Sequence, residues 1–292
     1  MASLKEVKGR IATVNNTRKI TSAMKMVASA KLHKAQGAIT NMLPYERRLH
    51  GLLTNLLGGS EVLVWNTPRE VKRVALVVFS SNSSLCGGFN ANVIKHATQW
   101  LDEHQALGKD NILIYPVGKK VADALSKMGY AIQGNFQHLA DKPSFAEAAE
   151  LAQGLMNLFT RGEVDRVELL YNHFKSTASQ ILTREVYLPM ASEVCHPERS
   201  EGSRVLPQEV DYILEPSREE LLATLLPKVL RMKLYTVLLA SHASEHAART
   251  MAMQIATDNA DDLLQELTLM YNKTRQQAIT NELLDIVGGS MA

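Results

Sequence analysis

The sequence predicts an α/β protein in which a long helix at each end of the chain flanks a domain of alternating strands and helices. Apolar residues recur at helical spacing from about Ser3 to Leu57 and again from Ser217 to Val287. Each stretch contains a single proline, Pro44 in the first and Pro227 in the second. At about 1.5 Å per residue, helices of these lengths would reach roughly 80 and 100 Å, more than a compact domain needs. The chain therefore suggests a shaft.

The first helix begins with the seam of a two-stranded coiled coil, since Leu4, Val7, Ile11 and Val14 follow 3,4,3 spacing. Continuing that register leads to polar positions, Arg18 and Lys25, while an apolar stripe resumes at Ile20, Met24 and Val27. We therefore expect a shift of phase after Val14, which would change the supercoil locally or turn the charged face toward another partner. Such a shift would also make the shaft asymmetric.

The last helix opens with a capping box, Ser217-Arg-Glu-Glu220. Its predicted seam holds alternating 4,3 spacing through Leu230, Leu234, Val237, Ser241, Ser244, Ala248, Met251 and Ile255, and Gly288-Gly289 should end the helix. The natural mate of so long a helix is the N-terminal one, running antiparallel. The alternative is a pair of unrelated core helices in an all-α domain.

The middle of the chain predicts a parallel α/β sheet. Predicted strands are 72–80, 111–117, 167–174 and 181–188, and predicted helices are 89–106, 119–128 and 145–160. We place the domain boundaries at 1–60 for the first coiled-coil helix, 70–210 for the α/β domain and 211–292 for the last helix. Residues 195–208 are polar and predict an exposed insertion.

Composition narrows the class of protein. No apolar run approaches the roughly 20 residues of a membrane-spanning helix, and residues 1 to 50 carry ten Lys and Arg against only Glu6 and Glu46. This basic face indicates either solvation or an acidic partner. A basic, amphipathic start is also compatible with an organelle transit peptide, although the pattern has no cleavage-like break before Leu57. The two cysteines, Cys86 and Cys195, form no metal-binding or disulfide pattern and indicate a reducing compartment.

Three sequence patterns that could indicate an enzyme site lack residues that such sites require. The turn Leu85-Cys-Gly-Gly-Phe-Asn90 follows the first strand but lacks the glycine spacing of a dinucleotide site, and Gly118-Lys-Lys lacks the preceding glycines of a P-loop. His242 and His246 form an i, i+4 pair without a third metal ligand, so we expect a solvated helix face. Cys86 has no identifiable partner base and is more typical of a buried packing residue. We predict no catalytic residue, no cofactor and no metal.

Several long motifs nonetheless resemble the gamma subunit of F-type ATP synthase. They are 11–28 (IATVNNTRKITSAMKMVA), 85–90 (LCGGFN), 244–253 (SEHAARTMAM), 256–260 (ATDNA) and 271–283 (YNKTRQQAITNEL). The resemblance runs in order through nearly the whole chain. It implies an antiparallel coiled coil with a Rossmann-like domain inserted between its helices.

The resemblance also implies a function. The chain would be the non-catalytic central stalk, or rotor, of a proton-translocating ATP synthase. It would couple ion flow through the membrane c ring to conformational cycling of the catalytic beta subunits, so that its angle biases each site between states. The implied partners are a hexameric ring of alpha and beta subunits, the epsilon subunit and the c ring, with one copy of this chain per complex. The implied location is peripheral, on the cytoplasmic face of the bacterial inner membrane, and we expect no leader segment.

Matching positions carry roles from the family to this chain. Met24 and Lys25 would face the acidic lever loops of the beta subunits, with Arg249 nearby on the opposing helix. Arg275, Gln276 and Thr280 resemble contacts to the catch loops of the ring. Tyr212 and Glu215 match foot residues near the c ring and the epsilon subunit. The plainer alternatives are coiled-coil packing for Met24 and a surface charge for Glu215.

Two departures from the family pattern matter. Asn82-Ser-Ser84 stands where the family often has Asp-Arg-Gly, which puts any salt bridge made there in doubt. The 195–208 insertion lies where plastid relatives carry a redox pair of cysteines, but a single cysteine, Cys195, excludes a dithiol switch.

Two other functions compete with the rotor. The first is an α/β nucleotide-binding enzyme with helical extensions, which would need a nucleotide fingerprint or an acid/base pair. The second is a basic coiled-coil protein that binds nucleic acid, which predicts stacking aromatics among the Lys and Arg. Residues 1 to 50 contain only one aromatic residue, Tyr45, so we expect no nucleic-acid partner.

Overall fold

The structure, a computed structural model, describes residues 3–57, 69–190, 215 and 217–290. The described chain contains helices α1 (Leu4–Leu57), α2 (Phe89–Glu103), α3 (Lys119–Lys127), α4 (Gln137–Asp141), α5 (Phe145–Thr160) and α6 (Arg218–Ser290). Its strands are β1 (Val74–Phe79), β2 (Ile112–Val117), β3 (Arg166–Phe174) and β4 (Gln180–Leu188). The long terminal helices and the alternating middle confirm the predicted architecture.

The chain divides into two compact units. The first, here called the helical unit, consists of Met1–Ala30 and Arg249–Ala292, and the second, the sheet unit, is Lys31–Ala248. The two terminal helices contribute residues to both units. The predicted boundaries at 60, 70, 210 and 211 follow the helices rather than these units, and they stay a prediction.

The sheet unit is built on a four-stranded sheet of order β2-β1-β3-β4. Strands β2 and β3 both pair parallel with β1, whereas β4 pairs antiparallel with β3. The prediction of an all-parallel sheet is therefore wrong at β4, because a short connection after β3 lets the chain turn back beside it. All six residues of β1 are buried, as expected for a central strand covered on both faces.

Two apolar layers cover the sheet. On one face α2 and α3 pack through side chains such as Val93, Trp100 and Val121. On the other face α5 and the first part of α6 pack through side chains such as Leu155 and Leu234. The sheet unit is thus a three-layer α/β/α sandwich, and its core includes part of a terminal helix.

Within the sheet unit, α1 and α6 also pack on each other in antiparallel order. Leu32 and Ala35 of α1 cluster with Ala243 and Ala247 of α6. Further along, Leu53 and Leu56 of α1 cluster with Leu222 and Leu226, near the start of α6. Small residues at the first cluster allow the two helix backbones to approach closely.

The two ends of α6 can be compared with the start and stop that the sequence predicts. The Ser217 side chain accepts a hydrogen bond from the Glu220 backbone N–H at 3.2 Å, which confirms the N-terminal cap. The predicted stop at Gly288-Gly289 is wrong, since α6 continues to Ser290. A glycine pair lowers helix propensity, but it does not end a helix unless the chain adopts another conformation there.

In the helical unit the seam of α1 keeps one register. Val7 and Ala28 are buried, and the positions between them at 3,4 spacing are half-buried: Ile11, Val14, Arg18, Thr21 and Lys25. Ile20 and Val27 are instead 60% and 58% exposed. The predicted phase shift after Val14 is therefore wrong, because the seam continues through polar residues, while Ile20 and Val27 of the apolar stripe lie outside it and Met24 is half-buried.

The seam of α6 in the helical unit follows a heptad set by Met253, Ala260 and Leu267, all buried. In the sheet unit the predicted residues Leu230, Leu234, Val237, Ser241 and Ser244 are buried. Leu230, Leu234 and Val237 pack in the layer against the sheet, whereas Ala243 and Ala247 cluster with α1, so burial there does not make these residues the predicted seam. The predicted seam is wrong at Met251 and Ile255, which are exposed.

Candidate functional site

Antiparallel contacts between α1 and α6 organise the helical unit, where most of the predicted site residues lie. Arg18 Nη1 donates to Asp261 Oδ1 at 2.9 Å, and Lys25 Nζ donates to Gln254 Oε1 at 2.7 Å. The hydroxyl groups of Thr21 and Thr257 lie 2.9 Å apart, at hydrogen-bond distance. Residue numbers rise along α1 as they fall along α6, which confirms the antiparallel coil.

Met24, Lys25 and Arg249 all lie in the helical unit, on the two facing helices. Met24 and Lys25 are half-buried, and Arg249 is buried. Extending the observed register places Arg249 about level with Ala30, roughly 9 Å along the axis from Met24. The three side chains therefore occupy the same stretch of coil, although Lys25 is engaged by Gln254 rather than extended into solvent.

Arg275, Gln276 and Thr280 lie on the last turns of α6 and are exposed. Thr280 Oγ1 donates to the backbone carbonyl of Gln276 at 2.9 Å, a bond within the helix. Large apolar side chains are exposed along the same turns, including Leu283, Leu284 and Ile286. Clustered exposed apolar residues are frequent at surfaces where proteins contact a partner.

The two predicted foot residues differ in what can be said of them. Tyr212 and the 195–208 insertion, with Cys195, lie outside the described residues. Glu215 is described and is exposed. The role of both residues stays a prediction.

The turn between β1 and α2 is the position at which dinucleotide-binding α/β folds hold a phosphate group. The Asn90 side chain accepts a hydrogen bond from the Ser81 backbone N–H at 3.1 Å and donates to Ser81 Oγ at 2.8 Å. Cys86 is buried in the same turn, as predicted for a packing residue. A polar side chain of the protein thus occupies the interior of this loop.

Asn82, one of the departures from the family pattern, ties three elements together. Its Nδ2 donates to the Gln137 carbonyl and to Asp141 Oδ2, both at 2.7 Å, and its Oδ1 accepts from the Lys119 backbone N–H at 2.9 Å. An amide can do both because it carries a donor and an acceptor. The backbone N–H of Val121 is likewise engaged, by Ser80 Oγ at 3.2 Å, so these amides at the start of α3 are bonded within the chain.

His242 and His246 do not form the solvated face that the sequence predicts. His246 is buried and His242 is half-buried, and their Nε2 atoms lie 3.2 Å apart. Burial lowers the pKa of His242 to about 4, and the Lys31 ammonium group adds to the shift. Sequence spacing could not reveal this, because the same i, i+4 pair suits an exposed or a covered helix face.

The described residues offer no metal centre, since no three His, Cys, Asp or Glu side chains among them are placed as ligands. An open groove of about 670 Å³ lies beside α5, with Tyr115, Phe136 and Glu150 in its lining. No helix in the described part of the chain has the length and apolarity required to cross a bilayer.

The fold and the contacts define a class: an antiparallel coiled coil formed by the two ends of a chain, with an α/β domain inserted between them. A family model described as "ATP synthase" matches residues 3–292. A protein of Phocaeicola vulgatus named "ATP synthase gamma chain" is 67% identical over 100% of both chains. One of the same name from Flavobacterium johnsoniae is 47% identical over 100% of this chain and 99% of its own. The chain belongs to the ATP synthase gamma chain family.

Solved structures share the fold at lower identity. A chain from the mitochondrial ATP synthase of Euglena gracilis, in an assembly of OSCP, F1 and c-ring, aligns with TM-score 0.64 and 20% identity over 99% of this chain and 93% of that one. A chain from the central stalk and c-ring assembly of Tetrahymena thermophila aligns with TM-score 0.60 and 23% identity over 81% of this chain and 99% of that one.

Proposed function

We propose that this chain is the central rotor shaft of an F-type ATP synthase. The observation that supports it most is membership of the gamma chain family over residues 3–292 together with the antiparallel coil of α1 and α6. In this role the chain itself catalyses nothing. Its rotation presents different faces to the catalytic subunits around it, and differential contact energy shifts each site between conformations.

The partners follow from the same assignment. Alpha and beta subunits form a ring around the coil, the epsilon subunit and c ring meet the foot, and one copy of this chain serves each complex. Rotor assemblies in the similar solved structures support this arrangement. The relatives from Phocaeicola and Flavobacterium support a bacterial complex, peripheral to the inner membrane on its cytoplasmic side.

The contact surfaces are assigned by position. We assign Met24, Lys25 and Arg249 to the stretch of coil that faces the beta subunits. We assign Tyr212 and Glu215 to the part of the chain that contacts the c ring and the epsilon subunit. Arg275, Gln276 and Thr280 serve the catch loops, and their exposure in this chain supports that role because exposed side chains are available to a partner.

Co-expression with the matching alpha and beta subunits tests the function. We expect a complex that contains one copy of this chain and hydrolyses ATP, and little hydrolysis from alpha and beta without it. A chain that stays alone, or that binds nucleotide by itself, would overturn the assignment in favour of the α/β nucleotide-binding enzyme.

The catch-loop contacts have a sharper test. Arg275→Ala, Gln276→Ala and Thr280→Ala should leave the fold intact, since all three residues are exposed. We expect the triple variant to reduce hydrolysis by the complex about tenfold, the effect of losing about 1.4 kcal/mol of contact energy. Lys273→Ala with Gln277→Ala, exposed on the same turns, is the control. If the control variant lost as much ATP hydrolysis as the triple variant, the proposed catch-loop contacts of Arg275, Gln276 and Thr280 would be wrong.

A further inference from the structure

Two histidines of α6 lie close to both α1 and α4 in the sheet unit. The Nε2 atoms of His242 and His246 are 3.2 Å apart, and their rings meet edge to face with centroids 4.5 Å apart. His246 is buried and His242 is half-buried. We call these two residues the histidine pair.

A hydrogen bond between the two Nε2 atoms requires that one of them carries a proton and the other does not. The pair therefore keeps this bond with at most one positive charge, because two imidazolium rings would each direct an N–H group at the other. A charge on either ring would also lose part of its hydration, since both rings are at least half-buried. The observed arrangement therefore suits a neutral pair best.

Charged groups around the histidine pair come from three helices. Lys31 and Lys34 of α1 both oppose a positive charge on His242, whereas Asp141 of α4 favours it. Glu245 of α6 lines the small cavity beside His242. Burial and the two ammonium groups outweigh the Asp141 carboxylate, so the pKa of His242 falls to about 4.

The apolar contact between α1 and α6 beside the histidine pair is small. Its buried members are Leu32 and Ala35 of α1 with Ala243 and Ala247, which directly follow the two histidines in α6. Three of these four side chains are alanines, so the cluster buries little apolar surface beyond the leucine. Regions with few buried apolar contacts open locally at low free energy. This stretch of α1 is therefore held weakly enough for one proton to change its packing.

We propose that the histidine pair is an acid-sensitive clasp: while the pair is neutral, residues 31–39 of α1 pack on α6, and a proton taken up by His242 releases them. Local opening exposes the His242 ring to water, where its ordinary affinity for a proton returns. Proton binding then favours the open form, because the packed form resists it. The clasp is a property of the chain alone and does not depend on the rotor function.

Hydrogen exchange of the full chain, followed by mass spectrometry, tests the clasp. Between about pH 7.5 and 5.5, protection of the amides of residues 31–39 should fall about tenfold after correction for intrinsic exchange rates. This ratio is expected when the pKa of His242 is 6.5 in the open form and about 4 in the packed form. At both pH values these amides should be less protected than those of β1, because they exchange by a local opening.

Two variants and a control identify the group that takes up the proton. His242→Gln cannot take it up, so protection of residues 31–39 should no longer depend on pH in this window. His246→Gln keeps an amide that can donate to or accept from His242, so the tenfold loss should remain. His33→Gln removes an exposed histidine of the same α1 stretch and should leave the loss unchanged.

Three results would overturn the proposal. The first is protection of residues 31–39 that does not change with pH, or that changes equally in the native chain and in His242→Gln. The second is a loss of protection confined to α4, since α4 rather than α1 would then be the helix that opens. The third is equal protection of residues 31–39 and β1, because the whole unit would then open together.

Discussion

At the scale of single residues, Gly118 is a position in the sheet unit that has no room for a side chain. It joins β2 to α3 with φ +117°, and a Cβ there would lie 2.2 Å from the Ser80 carbonyl oxygen. That neighbour is backbone and cannot move aside. We expect Gly118→Ala to reduce the free energy of unfolding by about 3 kcal/mol or more, measured by urea denaturation.

Gly154 supplies the opposite case. It is exposed in the middle of α5, and nothing lies within 4 Å of the position that a Cβ would occupy. Gly154→Ala should therefore raise the free energy of unfolding by about 0.5–1 kcal/mol, since alanine favours the helix. Equal effects of the two substitutions would contradict the close approach at Gly118.

His242 predicts a pH dependence of stability. Burial lowers its pKa from 6.5 to about 4, Lys31 and Lys34 add to the shift, and Asp141 opposes it. The unfolded chain therefore binds a proton more readily than the folded one. Stability should fall as the pH drops from about 6.5 to 4, by about 2–3 kcal/mol from this group, and no further loss should follow below pH 4.

The measurement compares the native chain with His242→Gln by urea denaturation at several pH values. The difference between the two stability curves should change over this window, because glutamine cannot take up a proton. His246, whose ring contacts His242, remains in both proteins. A difference that stays constant from pH 7 to 4 would show that His242 does not titrate as its surroundings require.

At the scale of elements, a buried carboxylate joins α2 to the sheet. The Glu168 side chain on β3 is 1% exposed and accepts hydrogen bonds from Trp100 Nε1 at 2.9 Å and Arg184 Nε at 2.6 Å. Removing it would leave the Arg184 charge without this partner. Because the buried Trp100 Nε1–H would lose its acceptor while Arg184 keeps Glu103, we expect Glu168→Ala to reduce the free energy of unfolding by about 2–3 kcal/mol.

The control for this prediction is an exposed ion pair in the same unit. Glu70 and Lys72 lie 3.4 Å apart with side chains that are 83% and 74% exposed. Glu70→Ala should change the free energy of unfolding by less than about 0.5 kcal/mol. Similar losses in the two variants would indicate that Glu168 is not buried among its partners.

The corrected seam of α6 can be tested with two leucines that differ by two positions. Leu267 is 7% exposed in the helical unit, while Leu269 is 71% exposed. Leu267→Ala should lower the free energy of local opening there by about 2–3 kcal/mol, and Leu269→Ala by less than about 0.5 kcal/mol, as measured by hydrogen exchange. If Leu269→Ala had the larger effect, the seam of α6 would follow a register other than the one described here.

The seam also shows what sequence patterns can and cannot predict. Spacing and capping signals located every predicted helix and strand, because those signals act locally. The short helix α4 was missed, and the direction of β4 was wrong, since a strand pattern carries no direction. Met251 and Ile255 were misplaced because apolar spacing marks the most hydrophobic face of a helix, and here part of that face lies outside the coil.

At the scale of the whole molecule, the family motifs predicted the antiparallel coil of the two terminal helices, while the contact roles carried over from the family stay predictions. Met24, Lys25 and Arg249 lie on facing helices of one unit, and Arg275, Gln276 and Thr280 are exposed. The cross-helix partners Gln254, Thr257 and Asp261 were missed, because pairing across an antiparallel coil depends on a register that one helix alone does not define. The Lys25 contact with Gln254 was missed for the same reason.

Rotation is the central claim, and it can be observed directly. A complex of this chain with its alpha and beta subunits is fixed to a surface through beta, and a probe is attached to the sheet unit through a cysteine placed at exposed Lys127, with Cys86 and Cys195 replaced. On addition of ATP, we predict stepwise rotation of the probe in one direction. A complex that hydrolyses ATP while a probe on this chain stays still would contradict the rotor assignment.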